Sequence, residues 1–216
     1  ETMERVMGDS QLSVVGISRG YERNGDPEDI LKKEAVDLAE KAEVVIYCLG
    51  LNELGEAEGL DRSHMRIPQN QIDLLETLAK VNENIVGVIS AGASIEMPWE
   101  RNCRAILHCY LSGQAGASAM VDILTGEVNP SGRLSETYPI KYEDTPSFRN
   151  FPSTERNAEY REGIYVGYRY YDTSMVRVQY PFGIGLSFTE ISYSDLQVDE
   201  DGVNLTVAND GDCGGA

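Results

Sequence analysis

Four short apolar runs punctuate the first half of the chain: residues 12–17 (LSVVGI), 44–50 (VVIYCLG), 85–90 (IVGVIS) and 105–110 (AILHCY), each bounded by polar residues or glycine. Runs of this length without polar alternation have the pattern of strands buried on both faces. Between them apolar residues recur at helical spacing. Leu31, Ala35, Leu38, Ala39 and Ala42 share one face, as do Ile72, Leu75, Leu78 and Ala79, and again Ala119, Met120, Ile123 and Leu124. Asp26 followed by Pro27 predicts the start of the first helix, Pro68 the start of the second and Gly126 the end of the third. Strand and helix in alternation predict an α/β fold: a mostly parallel sheet with helices on both faces, an α/β sandwich.

The alternation stops near residue 127. Pro, Gly, Tyr and charged residues dominate up to Gly185, which predicts an ordered loop region wrapping the sheet, with a further strand around Ile164 to Tyr171. From Tyr193 apolar residues alternate on either side of Asp201-Gly202, the pattern of a β-hairpin. Two strands cannot bury a core of their own. The chain is therefore expected to comprise an α/β unit over residues 1–189 and a truncated β segment over residues 190–216.

Composition narrows the function. Among 216 residues, 18 Lys and Arg face 36 Asp and Glu, a formal net charge of −18. Binding to nucleic acid or to an anionic membrane surface requires a basic face, and no stretch supplies one. No run approaches the roughly 18 apolar residues of a membrane helix. Cys48, Cys103, Cys109 and Cys213 form no CxxC pair; read as buried free thiols, they favour a reducing, cytoplasmic compartment. The beginning at Glu1 and the Gly-rich end at Cys213 to Ala216 suggest a piece of a longer polypeptide.

In a doubly wound sheet ligands bind outside the carboxyl ends of the strands, so the loops after residues 50, 90 and 110 carry the candidate chemistry. The first holds Glu53, Glu56, Glu58, Asp61 and Arg62 within twelve residues. Crowded carboxylates repel one another, and a carboxyl kept protonated near neutral pH can act as a general acid. The same pattern also suits a solvated acidic loop; D-x-[DN]-x-[DN]-G spacing for a cation is absent. The other two, Ser90 to Ser94 and Ser112 to Gly116, are small-residue turns without a nucleotide-binding glycine pattern. His64 and His108 lie outside any zinc-ligand spacing and read as core residues. Gly92-Ala-Ser94-Ile-Glu96 lacks the final glycine of a serine-hydrolase elbow. Tyr160, Tyr165, Tyr168, Tyr170, Tyr171, Tyr180 and Phe182 crowd one interval and either cover the sheet or offer faces for sugar stacking.

Four segments in order carry a resemblance: Glu58-Gly-Leu-Asp-Arg62 with Ile67-Pro68 and Gln71; Asn129-Pro-Ser-Gly-Arg-Leu-Ser-Glu-Thr-Tyr-Pro139; Tyr160-Arg-Glu-Gly-Ile-Tyr-Val-Gly-Tyr-Arg-Tyr-Tyr-Asp172; and Tyr180-Pro-Phe-Gly-Ile-Gly-Leu-Ser-Phe-Thr189. Through them the chain resembles the second, α/β-sandwich domain of glycoside hydrolase family 3, the β-glucosidase and β-xylosidase family. Ile184 and Phe188 stand where that family more often has His and Tyr. The tail from Tyr193 resembles the opening strands of the fibronectin type III-like domain that often follows.

The resemblance implies a retaining glycosidase acting on terminal non-reducing β-D-glycosyl residues, most simply a β-glucosidase working on a β-linked oligosaccharide or aryl glycoside. It implies an Asp nucleophile on an N-terminal (β/α)8 barrel, whose Ser-Asp-Trp-like motif is absent here; the single Trp is Trp99. By motif match the general acid/base falls on Glu58, with Glu56 its rival. Asp61 and Arg62 are expected to pair and shape the loop, or else to touch sugar, and the long loop is expected to be mobile without its barrel. The resemblance calls for no cofactor and no metal, and an isolated domain of this kind would be inactive. The alternative is a non-catalytic carbohydrate-binding or interaction domain.

Overall fold

The computed structural model describes residues 12–24, 29–153 and 156–215. Three of the four apolar runs are strands. β1 (Val45–Gly50), β2 (Ile85–Ser90) and β3 (Ala105–His108) form a parallel sheet in that order, with Val45 opposite Ile85 and Val86 opposite Ala105. Three helices follow the anticipated pattern: α1 (Asp29–Ala39), α2 (Gln69–Leu78) and α3 (Gly116–Thr125). In α1 burial falls on Ala39, with Ala35 packed against the same core; in α2 it falls on Ile72, Leu74, Leu75 and Leu78. In α3 the face is rotated from expectation: Val121 is buried, Met120, Ile123 and Leu124 are half-buried and Ala119 is exposed. Gly126 closes α3 in the left-handed conformation, where a side chain would be strained. Pro68 precedes α2 in an extended conformation as its N-cap. The Asp26 and Pro27 start expected for α1 lies outside the described residues.

The core lies between the sheet and these helices. Leu75, Ile85, Ile89 and Ile95 are fully buried and pack with Leu49, Leu78, Trp99 and Tyr138. Parallel strands expose no face to water when helices cover them, which is why an apolar run and not an alternating one marks each strand. The Gln71 side chain is the polar exception, and both ends of its amide are satisfied. It accepts from Gly50 N (2.8 Å) and donates to Gly50 O (3.0 Å), while the backbone carbonyl of Gln71 accepts from Tyr47 Oη (2.7 Å). Gly50 allows β1 to approach β2 closely: a Cβ there would lie 1.9 Å from the Ser90 carbonyl oxygen.

Residues 12–17 depart from expectation, forming no strand and leaving Leu12, Val15 and Ile17 exposed. The neighbouring Tyr21 reaches β1 through its side chain, donating from Oη to Cys48 O (3.0 Å) and packing edge-on against Tyr47. An apolar run becomes a strand only where a ladder forms, and no ladder is formed over 12–17 among the described residues. The region after α3 contains a two-stranded antiparallel pair, β4 (Tyr138–Pro139) with β5 (Val178–Tyr180), and a short helix, α4 (Tyr168–Ser174). The strand expected around 164–171 is in fact this helix. Its tyrosines favour strands, but burial of Tyr171 and the positive φ of Gly167 before the helix and Met175 after it decide the local conformation.

The carboxy-terminal hairpin forms as expected, β6 (Ile191–Asp199) against β7 (Gly202–Asn209), with a register shift between Ser194 and Gln197. Its turn is closed by Asp199 Oδ1, which accepts from Asp201 N (2.9 Å) and Gly202 N (3.0 Å). Asn129 of the second quoted segment ties the hairpin region to the α/β unit. Its amide oxygen accepts from Phe188 N (2.8 Å), and its amide nitrogen donates to Ser187 Oγ (2.9 Å) and Gly214 O (2.8 Å). The expected buried thiols are free but not buried: Cys48 and Cys213 are exposed, Cys103 and Cys109 half-buried. His64 likewise lies on the surface rather than in the core.

Candidate functional site

The loops at the carboxyl ends of β1 and β2 meet, and residues 129–139 close against them. The loop after β1, residues 51–68, begins with a turn built on Asn52: its carbonyl accepts from Gly55 N and Glu56 N (3.0 Å each), and its Oδ1 also accepts from Gly55 N (2.9 Å). The turn is tied to the preceding segment. Asn52 Nδ2 donates to Asn24 Oδ1 (2.6 Å), Asn24 Nδ2 donates to Glu53 Oε1 (2.8 Å), and Arg23 pairs with Glu53 at 2.9 Å. Hydrogen bonds within its own residue and from Asn24, helped by the Arg23 charge, hold the Glu53 carboxyl below the usual carboxylate range. Glu53 is thus an anchor.

Glu56 is half-buried and reaches the loop after β2, accepting from Gly92 N at 2.7 Å. Glu58 is exposed and takes part in no hydrogen bond or ion pair among the described residues; Leu54 and Leu60 flank it at 69% and 61% exposure. Asp61 is exposed too, and the expected Asp61–Arg62 ion pair is not formed. Arg62 turns inward instead. Burial pulls its guanidinium below the ordinary arginine range, and Glu56, Glu136 and Glu96 oppose that pull. Nη1 contacts Ser94 O at 3.5 Å, and Nη2 is buried without a hydrogen-bond partner.

Glu96 and Glu136 are residues the sequence reading did not single out. Burial raises the Glu136 carboxyl above its ordinary range, against hydrogen bonds from Ser94 and the attraction of Arg62. Glu96 Oε1 accepts from Tyr142 N (2.9 Å), and Glu96 N donates to Met65 O (2.8 Å), so the first two loops are joined by backbone as well as by charge. Beside this cluster lies a shallow depression of about 240 Å³, lined by Arg62, His64, Met65, Ser94, Tyr142 and Phe151 among others. The signal for Glu136 was present in the second quoted segment; Glu96 sits four residues after Gly92, where only the turn itself had drawn attention.

The arrangement brings Arg62 into the field of carboxylates from three loops, Glu56, Glu96 and Glu136, while Glu58 and Asp61 of the same loop stay exposed. No group of three or more His, Cys, Asp or Glu among the described residues is arranged to hold a metal ion. The aromatic interval divides: Tyr171 is buried and Tyr180 half-buried as cover for the sheet, whereas Tyr160, Tyr165, Tyr168 and Phe182 are exposed, the last two stacked on each other with ring centroids 5.0 Å apart.

Comparison with known proteins matches this geometry to a family. The family model for the glycosyl hydrolase family 3 C-terminal domain matches residues 5–168. Thermostable β-glucosidase B of Acetivibrio thermocellus is 43% identical over 204 residues, covering 94% of this chain and 27% of that protein. An exo-α-(1→6)-L-arabinopyranosidase of Bifidobacterium breve is 42% identical over 192 residues, covering 88% of this chain and 25% of that protein. The crystal structure of a Bifidobacterium adolescentis family 3 β-glucosidase superposes with a TM-score of 0.91 at 40% identity, over 97% of this chain and 32% of that one. The chain thus spans about a quarter of the length of the curated relatives it matches.

Proposed function

The chain belongs to glycosyl hydrolase family 3, as its C-terminal α/β domain, and on that premise we propose that it is the acid/base half of a retaining β-glycosidase, with Glu58 in that role. The nucleophile is an Asp on a barrel domain outside this chain. The observation that carries the reading is the position of Glu58: on the loop beyond the carboxyl end of β1, exposed and unpaired, while its rival Glu56 is engaged with Gly92. The tail over 190–216 is the start of a fibronectin type III-like domain, and the apolar residues exposed along its hairpin support that assignment.

In the first step the barrel Asp attacks the anomeric carbon, the bond to the leaving oxygen breaks, and the Glu58 proton passes to that oxygen. In the second, the Glu58 carboxylate takes a proton from water as the water oxygen bonds to the anomeric carbon and the Asp leaves. Retention requires the two carboxyl groups about 5–5.5 Å apart, a distance reached only when this loop meets the barrel. The near-equal similarity to a β-glucosidase and to an exo-α-(1→6)-L-arabinopyranosidase fits a domain that supplies proton transfer and leaves sugar choice to the barrel.

The test uses the full-length enzyme carrying Glu58→Ala and two aryl β-glucosides, one with a good and one with a poor leaving group. The poor substrate is expected to lose on the order of 10²- to 10⁴-fold in kcat/KM, the good one far less, and azide is expected to restore turnover with formation of glycosyl azide. Normal cleavage of both substrates overturns the assignment.

A further inference from the structure

The same loop contains a second carboxylate, Glu56, whose surroundings suit a different task. The turn on Asn52 ends at Glu56, and Arg62 is the next residue with a side-chain contact to another loop, through Ser94 O, so 57–61 form an arch carrying Glu58 between two points of contact. The only backbone hydrogen bond within the arch runs from Leu60 N to Ala57 O (3.2 Å). The expected mobility of the loop is therefore confined by anchors at 52–56 and at 62.

We propose that Glu56 is a positioning residue: its carboxylate, latched to Gly92 N–H, fixes the near foot of the arch and thereby the place at which Glu58 meets the substrate. This rests on the acid/base reading of Glu58 and deepens it. The latch is tight. A Cβ on Gly92 would lie 3.0 Å from Glu56 Oε1 and 3.1 Å from Leu111 Cδ1, so a side chain there would press on the carboxylate. The contact also joins the loops after β1 and β2, whose strands are hydrogen-bonded neighbours, so the arch inherits the rigidity of the sheet beneath it. At the far foot Arg62 Nη1 contacts Ser94 O at 3.5 Å, and the guanidinium lies in the field of Glu56, Glu136 and Glu96. A carboxylate oxygen is needed at Glu56 as an acceptor, not as a proton carrier.

That distinction sets the test, made in the full-length enzyme with both aryl glucosides, kcat being read on the poor leaving-group one and azide rescue on the good one. Glu56→Gln retains an amide oxygen that can accept from Gly92 N–H, whereas Glu56→Ala has none. Positioning predicts that the Gln variant keeps most of the wild-type kcat while the Ala variant loses on the order of 10²-fold, with azide restoring neither and KM little changed. Gly92→Ala, which crowds the latch, is expected to follow Glu56→Ala. Equal losses in the Gln and Ala variants with azide rescue would make Glu56 the acid/base and overturn both this inference and the assignment of Glu58. Equal losses without azide rescue would overturn the inference, since an acceptor would then not suffice. Wild-type turnover by Glu56→Ala would overturn it as well, leaving Glu58 to be judged by the azide rescue of its own variant.

Discussion

The parallel sheet is built from continuous apolar runs and the carboxy-terminal hairpin from alternating ones, and the apolar side chains of the two end in opposite environments. Ile85 and Ile89 of β2 are fully buried, while Tyr193, Leu196 and Val198 of β6 are each about 70% exposed and Val203, Leu205 and Val207 of β7 are exposed as well. The hairpin has its ladder and a satisfied turn; it lacks a layer to cover either face. Hydrogen bonding alone thus sets the shape of a sheet, and burial decides whether that shape has a core. The site follows the same division. Its fixed members, Glu56, Arg62, Glu96 and Glu136, stand on loops rooted in the buried sheet, and Glu58 projects from them.

The strongest way to break the comparison is at its buried pole. Leu75→Ala empties a site with no exposure in the middle of α2, and is expected to cost about 2–5 kcal/mol, read as a lowered urea midpoint at unchanged slope. A loss under about 0.5 kcal/mol would mean that the helix is not held by this contact. Next is Gln71→Leu, which leaves Gly50 N and O without their buried partners. About 1–3 kcal/mol of destabilisation is expected, greater than a volume-conserving apolar exchange would cause.

Glu136 gives a pH-dependent effect. Its carboxyl is raised above the ordinary value of 4.5 by burial, so the folded state binds the proton more tightly than the unfolded state. Stability contributed by this group is therefore present at low pH and falls as pH rises from about 4.5 through the raised value. Glu136→Gln should remove that part of the slope, seen by comparing urea midpoints of both proteins from pH 4 to pH 7. An identical slope in the variant would show that the titrating group is elsewhere.

The smallest effect is expected at the exposed pole. Leu205→Ser should change the stability of the chain by less than about 0.5 kcal/mol and lower its self-association in light scattering, because an uncovered apolar strand pair is a surface for other chains. In the full-length enzyme the same substitution should cost about 1–3 kcal/mol if a completed β domain covers Leu205. Equal effects in both settings would count against that domain.

Three strands, the faces of the first two helices and the hairpin were legible in the sequence because each depends on local periodicity: continuous apolar runs for buried strands, 3.6-residue spacing for helices, and Asp201-Gly202 between alternating runs for the turn. The site loop was legible by a further rule of the same kind, since a parallel sheet gathers its loops at the strands' carboxyl ends. Tertiary structure alone decided the rest. Residues 12–17 have the composition of a strand but form no strand ladder among the described residues, and the tyrosines of 168–174 enter a helix because burying Tyr171 outweighs their preference for strands. Arg62 shows the limit most plainly: next to Asp61 in sequence, it is half-buried against Ser94 O and lies in the field of Glu56, Glu136 and Glu96. A charge pair is settled by which groups the folded loops bring close and how much water they exclude, and neither quantity exists until the sheet has brought distant segments together.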